Sequence, residues 1–416
     1  MNFKHLLLGS AAAIFAAGSA QAADLTVAEP VDYVKVCDAF GKGFFYSPGT
    51  DTCIKVGGYV KFGTSFGDTD FGIYNSIYPN SNWSNFFTEA SIQLTASSVT
   101  EYGNLTGFLD YRAKTGNSGN FSQSATQIIN SATNSAYVDS AWLSIGPVKA
   151  GRFTSLFDFG RGYTDTGAFG SDTKTDHIQF TYAVNGVGLA LSIEDQRDRG
   201  AAPGDETLGG QDNIPDIVGA VTYASGIFST KLAAAYVNDA IDRTGNGTAL
   251  NPYYYDAQDG WAVGGSAEFS LDSFSKGDKF FVTAAYGDNA NSYTGIAGGT
   301  SVAGLVGNGV NSIDSNFYAA VAPGSSWSAL ASYKHVWTPA VWSAVSGGYA
   351  SYDGDGYFDN TTIDAYRFVA STGWTPVTGL DLMFEGMYSH ADIDRAIADD
   401  NDGDAWAANF WMKRSW

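Results

Sequence analysis

The sequence predicts an all-β protein: a transmembrane, antiparallel β-barrel of about sixteen strands. Three observations carry that prediction. Hydrophobicity alternates with period two along most of the chain. The apolar face of each run is finished by Tyr, Phe or Trp, and the opposite face is Ser, Thr, Gly, Gln and charge. The connections between runs alternate short and long. Composition agrees, since 15% of the 416 residues are aromatic and only 16% are charged, below the usual quarter for a soluble domain.

Residues 1–22, MNFKHLLLGSAAAIFAAGSAQA, open with Lys4 and His5, continue through an apolar run at Leu6–Ala17 and end in Ala20-Gln21-Ala22. This is the pattern of a secretory signal peptide cleaved between Ala22 and Ala23. The apolar run is too short to span a bilayer comfortably, and no later run in the chain approaches 18 unbroken apolar residues. Residues 23–53 read as a periplasmic N-terminal segment, with an acidic, Pro-containing tail to about residue 36. Cys37 and Cys53 are the only cysteines. In an oxidising compartment they read as one disulfide, and closing so small a loop contributes roughly 3 kcal/mol in the chain-entropy model. Four histidines, none in a ligand spacing with Cys or another His, imply no metal and no cofactor.

Residues 54–416 read as the barrel. Ile178, Phe180, Tyr182 and Val184 alternate with His177, Gln179, Thr181 and Ala183. Val187, Leu189, Leu191 and Ile193 do the same, and Tyr366, Phe368, Ala370 and Trp374 oppose Arg367, Ser371 and Gly373. Short turns are expected at 100–103, 146–147, 185–186, 225–227, 272–278, 337–340 and 375–381. Those hairpins, with an opening run CIKVGGYVKFGTSF and a closing run AWAANFWMKRSW, give about sixteen strands, the even number a single-chain bacterial barrel requires. The stretch 316–326 is assigned to a long loop or a strand extension, because one more full strand would break parity. Sixteen tilted strands leave no free edge in hydrocarbon and enclose an aqueous channel. Outer-membrane lipid and lipopolysaccharide are then the surroundings. In the last strand Trp406, Ala408, Phe410, Met412 and Trp416 share a face, with Asn409 and Lys413 on the other.

The ending SAQAAD of the leader, the block VCDAFGKGFFYSPGTDTCIKVGGYVKFG and the terminal W-x-K-R-S-W carry a likeness to a known family. The chain resembles the outer-membrane porins of alphaproteobacteria, of the Brucella and Rhizobiales type. The resemblance implies a sixteen-stranded barrel in the outer membrane, a homotrimer, and passive diffusion of small hydrophilic solutes and ions. It also implies a third extracellular loop folded into the barrel. Long connections begin near 67, 114, 154, 195, 239, 287, 354 and 390, so the third spans 154–174.

That loop, GRFTSLFDFGRGYTDTGAFGSD with its flanks, fits the part. Phe153, Leu156, Phe157, Phe159 and Phe169 are expected to press on the wall, each contributing roughly 1.5–3 kcal/mol if fully covered. Gly160, Gly162, Gly167 and Gly170 permit tight turns. Asp158, Asp165, Asp172 and Asp176 are expected to present carboxylate to the lumen, facing Lys55, Lys61, Arg112, Lys149 and Arg367 on the polar face of the strands. Acid opposite base makes a transverse field at a constriction. A formal net charge of −21 suggests a mild cation preference that the wall cations oppose.

Other motifs are weaker. Gly63-Thr64-Ser65-Phe66-Gly67 matches a nucleophile elbow but lacks the strand-turn-helix context, and Gly41-Lys42 lacks the rest of a phosphate loop. DDNDGD at 399–404 fails the EF-hand pattern, leaving a loose divalent contact among loop carboxylates as the alternative to solvated acid. Nothing suggests nucleic acid. Ala23 is a candidate for peptidoglycan attachment. Two competing readings stay open: a barrel enzyme of phospholipase or protease type, which needs a partner for His177, His335 or His390, and a plugged structural or adhesin barrel.

Overall fold

The computed structural model describes residues 36–69, 83–115, 134–199, 215–241, 258–295, 324–355, 362–394 and 401–416. The leader, the Ala22–Ala23 junction and residues 316–323 lie outside them. A two-residue strand, β1 (Phe45–Tyr46), pairs with the start of β2 (Cys53–Thr69). The barrel continues with β3 (Trp83–Thr100), β4 (Gly103–Thr115), β5 (Ser135–Ile145), β6 (Val148–Thr154), β7 (Lys174–Val184) and β8 (Val187–Glu194). It is completed by β9 (Asp216–Ser225), β10 (Phe228–Ile241), β11 (Gln258–Ser270), β12 (Lys279–Asp288), β13 (Gly324–Thr338), β14 (Val341–Gly354), β15 (Thr362–Val377), β16 (Leu380–Asp394) and β17 (Asn401–Ser415).

Each strand pairs antiparallel with the next, and β17 returns to β2, from Ser415 opposite Tyr59 to Ala405 opposite Thr69. The sheet is therefore closed, with sixteen strands around it and β1 appended. The short turns fall where the sequence places them, and residues 324–326 of the ambiguous 316–326 stretch extend β13. Gly146 and Gly186 hold positive φ in two of the tight turns, a conformation that glycine adopts without strain.

Period-two alternation sets which side chains face out. On β7, Ile178, Phe180 and Tyr182 are 58%, 48% and 56% exposed, while His177, on the opposite parity just before them, is buried. Outward aromatics collect at the two ends. Trp261 with Tyr286 and Trp327 with Tyr349 lie at the end of the long connections, at centroid distances of 5.5 and 5.1 Å. Trp337, Trp374 and Trp416 lie at the end of the short turns, and all are exposed. Amphipathic rings at both rims suit a bilayer interface. Cys37 and Cys53 form a disulfide with a Cα separation of 6.0 Å, tying the segment before β1 to the first residue of β2.

Candidate functional site

The connection between β6 and β7 is closed at its base. Ser155 N–H donates to Thr173 O at 2.9 Å, and Thr173 N–H donates to Asp158 Oδ2 at 2.6 Å. The Ser171 hydroxyl donates to the other Asp158 oxygen. Beyond this clasp the sequence is apolar, and it packs where the wall is made of small residues. Leu156 and Phe157 are buried against Val218, Ala233, Ala235, Ala262, Ala285 and Tyr293. Phe159 lies over β11 at Gly264, where an added Cβ would stand 2.7 Å from the ring.

The segment then makes contacts far along the sheet from its own flanking strands. Tyr163 donates its hydroxyl to Glu268 at 2.8 Å and its N–H to Ser332 Oγ at 3.0 Å. Burial and the hydrogen bond to Glu268 hold the Tyr163 phenol above its ordinary pKa. Thr164 Oγ1 pairs with Ser346 Oγ at 2.8 Å. At the tip, the N–H groups of Asp165 and Thr166 donate to the Glu385 carboxylate at 2.8 and 3.1 Å. Arg367 donates to Gly167 O at 3.0 Å on the way back. Gly162, at φ 85°, allows the closest approach, since a Cβ there would stand 2.6 Å from Ser332.

The expected site residues divide into several groups. Asp165 and Lys61 meet, at 3.8 Å between Oδ2 and Nζ. Asp172 pairs within the loop, with Arg161. Asp158 departs from expectation: it is 8% exposed and serves as the clasp described above, with Arg199 at 3.9 Å. Burial pushes its carboxyl above the ordinary range, against the pull of Arg199, Ser171 and the Thr173 amide. Asp176 also departs, because it shares the outward parity of Ile178 and Phe180 and pairs with Arg152 at 3.6 Å. Arg112 faces inward but is held by wall acids, Asp110 at 2.7 Å and Asp139 at 3.0 Å, rather than by the loop. Arg367 is 5% exposed and docks the loop backbone. Lys149 sits over the rings of Trp142 and Phe153, and Lys55 over Phe44.

Four residues that the sequence reading missed do much of the positioning. Glu385 and Glu268 receive the tip; both lie on the inward parity of their strands, so period two could have found them. Glu194 accepts from Ser155 Oγ at 2.6 Å and from Leu156 N–H at 2.8 Å. Arg199, from the connection after β8, inserts beside Asp158 and Glu194 and lies 3.6 Å from the Tyr293 ring centroid. No sequence pattern marks it. The histidines make local contacts: His177 with Thr175 O, His335 with Asp278 and His390 with Asp404.

The chain is 34% identical over 248 residues to porin Omp2b of Brucella canis, covering 57% of this chain and 66% of that protein. It is 40% identical over 201 residues to the putative outer membrane protein y4fJ of Sinorhizobium fredii, covering 47% of this chain and 55% of that one. The chain thus spans between about half and two-thirds of the length of these relatives. The solved outer membrane channel DcaP of Acinetobacter baumannii superposes with a TM-score of 0.57 at 16% identity, over 89% of this chain and 99% of that one. Pseudomonas putida OprB does so at 0.51 and 10% identity, over 87% and 94%. Both show the same fold. The Porin subfamily matches residues 24–412, nearly the whole described barrel, and the chain belongs to the porin family.

Proposed function

We propose that the chain is an outer-membrane porin: a water-filled, passive diffusion channel for small hydrophilic solutes and ions, narrowed by residues 154–174. One observation carries the narrowing. A segment rooted between β6 and β7 has its tip on Glu385 of β16 and beside Lys61 of β2, strands well round the barrel from its root. A path through the barrel interior accounts for such contacts. Asp165 and Lys61 are then the charged pair at the narrowest point, with Arg112 on the wall and Lys149 set nearer the short turns. Asp172 lines the loop with its own counter-ion, while Asp158 and Arg367 hold the loop in place. The relatives, a porin and an outer membrane protein, support the channel and its membrane. Homotrimeric assembly, contact with lipopolysaccharide, a periplasmic N-terminal segment and attachment to peptidoglycan at Ala23 belong to the same reading.

Planar-bilayer recording on refolded protein tests it. Stepwise insertions, grouped in threes, are expected, and deletion of residues 160–168 is expected to raise the unitary conductance. Silence would overturn the channel. Unchanged conductance in the deletion would move the constriction away from this loop.

A further inference from the structure

Lysines on the inner wall rest on rings more often than on carboxylates. Among the residues whose side chains are described, three tryptophans take the inward parity: Trp142, Trp342 and Trp411. Each has a lysine over it. Lys149 Nζ is 4.1 Å from the Trp142 ring centroid, Lys334 is 4.7 Å from Trp342, and Lys61 is 4.7 Å from Trp411. Lys149 is held from a second side by Phe153, at 3.8 Å. Gly373 provides the bed for one of them, since a Cβ there would stand 2.2 Å from the Trp342 ring.

A ring and a carboxylate hold an ammonium with different consequences. The ring quadrupole attracts the cation but carries no net charge, so the full positive charge still acts on a third body. A carboxylate cancels it. Among the described residues no carboxylate lies within 4.0 Å of Lys149 or Lys334. The acids of the same wall and loop are compensated: Asp165 by Lys61, Asp172 by Arg161, Asp110 and Asp139 by Arg112 and Lys174, Glu268 by Lys279, and Asp381 by Lys413. Glu89 stands in register between Lys61 and Lys114, and Glu385 is buried under its donors. Both ring-held lysines lie near the short turns, Lys149 just after 146–147 and Lys334 shortly before 339–340. They are thus remote from the acidic long connections.

We propose that Lys149 and Lys334 are fixed anion sites in the lumen. The channel therefore passes small anions, chloride and short carboxylates, in preference to cations, despite the formal net charge of −21. This rests on the channel reading and reverses the cation preference that overall charge suggests. The test is the reversal potential of single channels under a tenfold KCl gradient, then with sodium acetate replacing KCl. Wild type is expected to favour the anion in both salts. Lys149→Met with Lys334→Met is expected to lower the anion-to-cation permeability ratio by about twofold per lysine, the order of effect of one unit charge about 8 Å from an ion in water. The Arg pair at the same positions is expected to keep the wild-type ratio. A cation-selective wild type, or a Met pair with an unchanged ratio, would overturn the proposal. If the Met pair fails to assemble, the two single Gln variants give the same reading. Absence of any conductance steps overturns the channel itself, and that outcome is separable from a channel with the wrong selectivity.

Discussion

Replacing Glu385 with Ala removes the acceptor that holds the loop tip. Two backbone N–H groups, of Asp165 and Thr166, donate to this carboxylate at 2.8 and 3.1 Å. Hydrogen bonds to a charged acceptor contribute about 1.5–3 kcal/mol each, so the tip loses about 3–6 kcal/mol of attachment. That shifts the docked-to-undocked ratio by about 10²- to 10⁴-fold. Ser371, which donates to the same group at 2.6 Å, loses its partner as well. The loop stays rooted, because the Asp158 clasp and the Phe157 cluster are untouched. The tip therefore moves while the barrel stands. Single-channel recordings of Glu385→Ala are expected to show excess open-channel noise and a higher mean conductance. Glu385→Gln, which keeps one acceptor oxygen, is expected to fall between. Noise and conductance equal to wild type in the Ala variant would refute the assignment of Glu385 as the tip anchor.

Arg199→Met leaves Glu194 and Asp158 without their buried cation, a loss of about 3–5 kcal/mol for a broken buried pair. Faster protease cleavage within 155–173, with the heat-modifiable barrel band retained, is the expected result. Gly348→Val places a side chain where even an added Cβ would stand 2.7 Å from Ala168, so the returning limb of the loop is expected to be displaced and single-channel conductance to rise. Asp278, in the turn before β12, is pushed up by burial but pulled further down by the Val336 amide, His335 and Tyr333, so its carboxyl titrates below the ordinary range. Its contribution is present above the ordinary carboxylate pKa and is lost as pH falls through the lowered value. Thermal unfolding followed between pH 5 and 2 is expected to show that loss, and Asp278→Asn to lack it. Reduction of Cys37–Cys53 is expected to expose residues 36–52 to proteolysis without changing conductance, at a local cost of roughly 3 kcal/mol.

The barrel was legible because its signal is geometric. Period two, alternating connection lengths and the parity of strands are properties of the backbone, and Ile178, Phe180 and Tyr182 face out as the pattern requires. The loop's anchors were legible for the same kind of reason, since Leu156, Phe157 and Phe169 have few other places to be buried. The charges were harder. Asp176 sits on the apolar parity, so the alternation itself argues against a lumen role for it. Asp158 gave no such sign, because within an irregular segment sequence spacing does not say which carboxylate turns inward on its own backbone. Arg199 comes from a different connection, and only the fold brings it to the clasp. Lys149 and Arg367 show a general limit: facing inward is readable, but the partner across the space is not.

The pairing of β17 with β2 has a consequence for how the molecule is made. The strand carrying the final residues must find the strand near the start, across nearly the full length of the chain. Contacts of that sequence separation form slowly. Until Trp406 through Ser415 are in place, the growing sheet has two open edges, each a template for pairing with another chain. Strand β17 therefore acts as the closure of the sheet. A chain shortened by that one strand is an aggregation hazard rather than a slightly smaller pore.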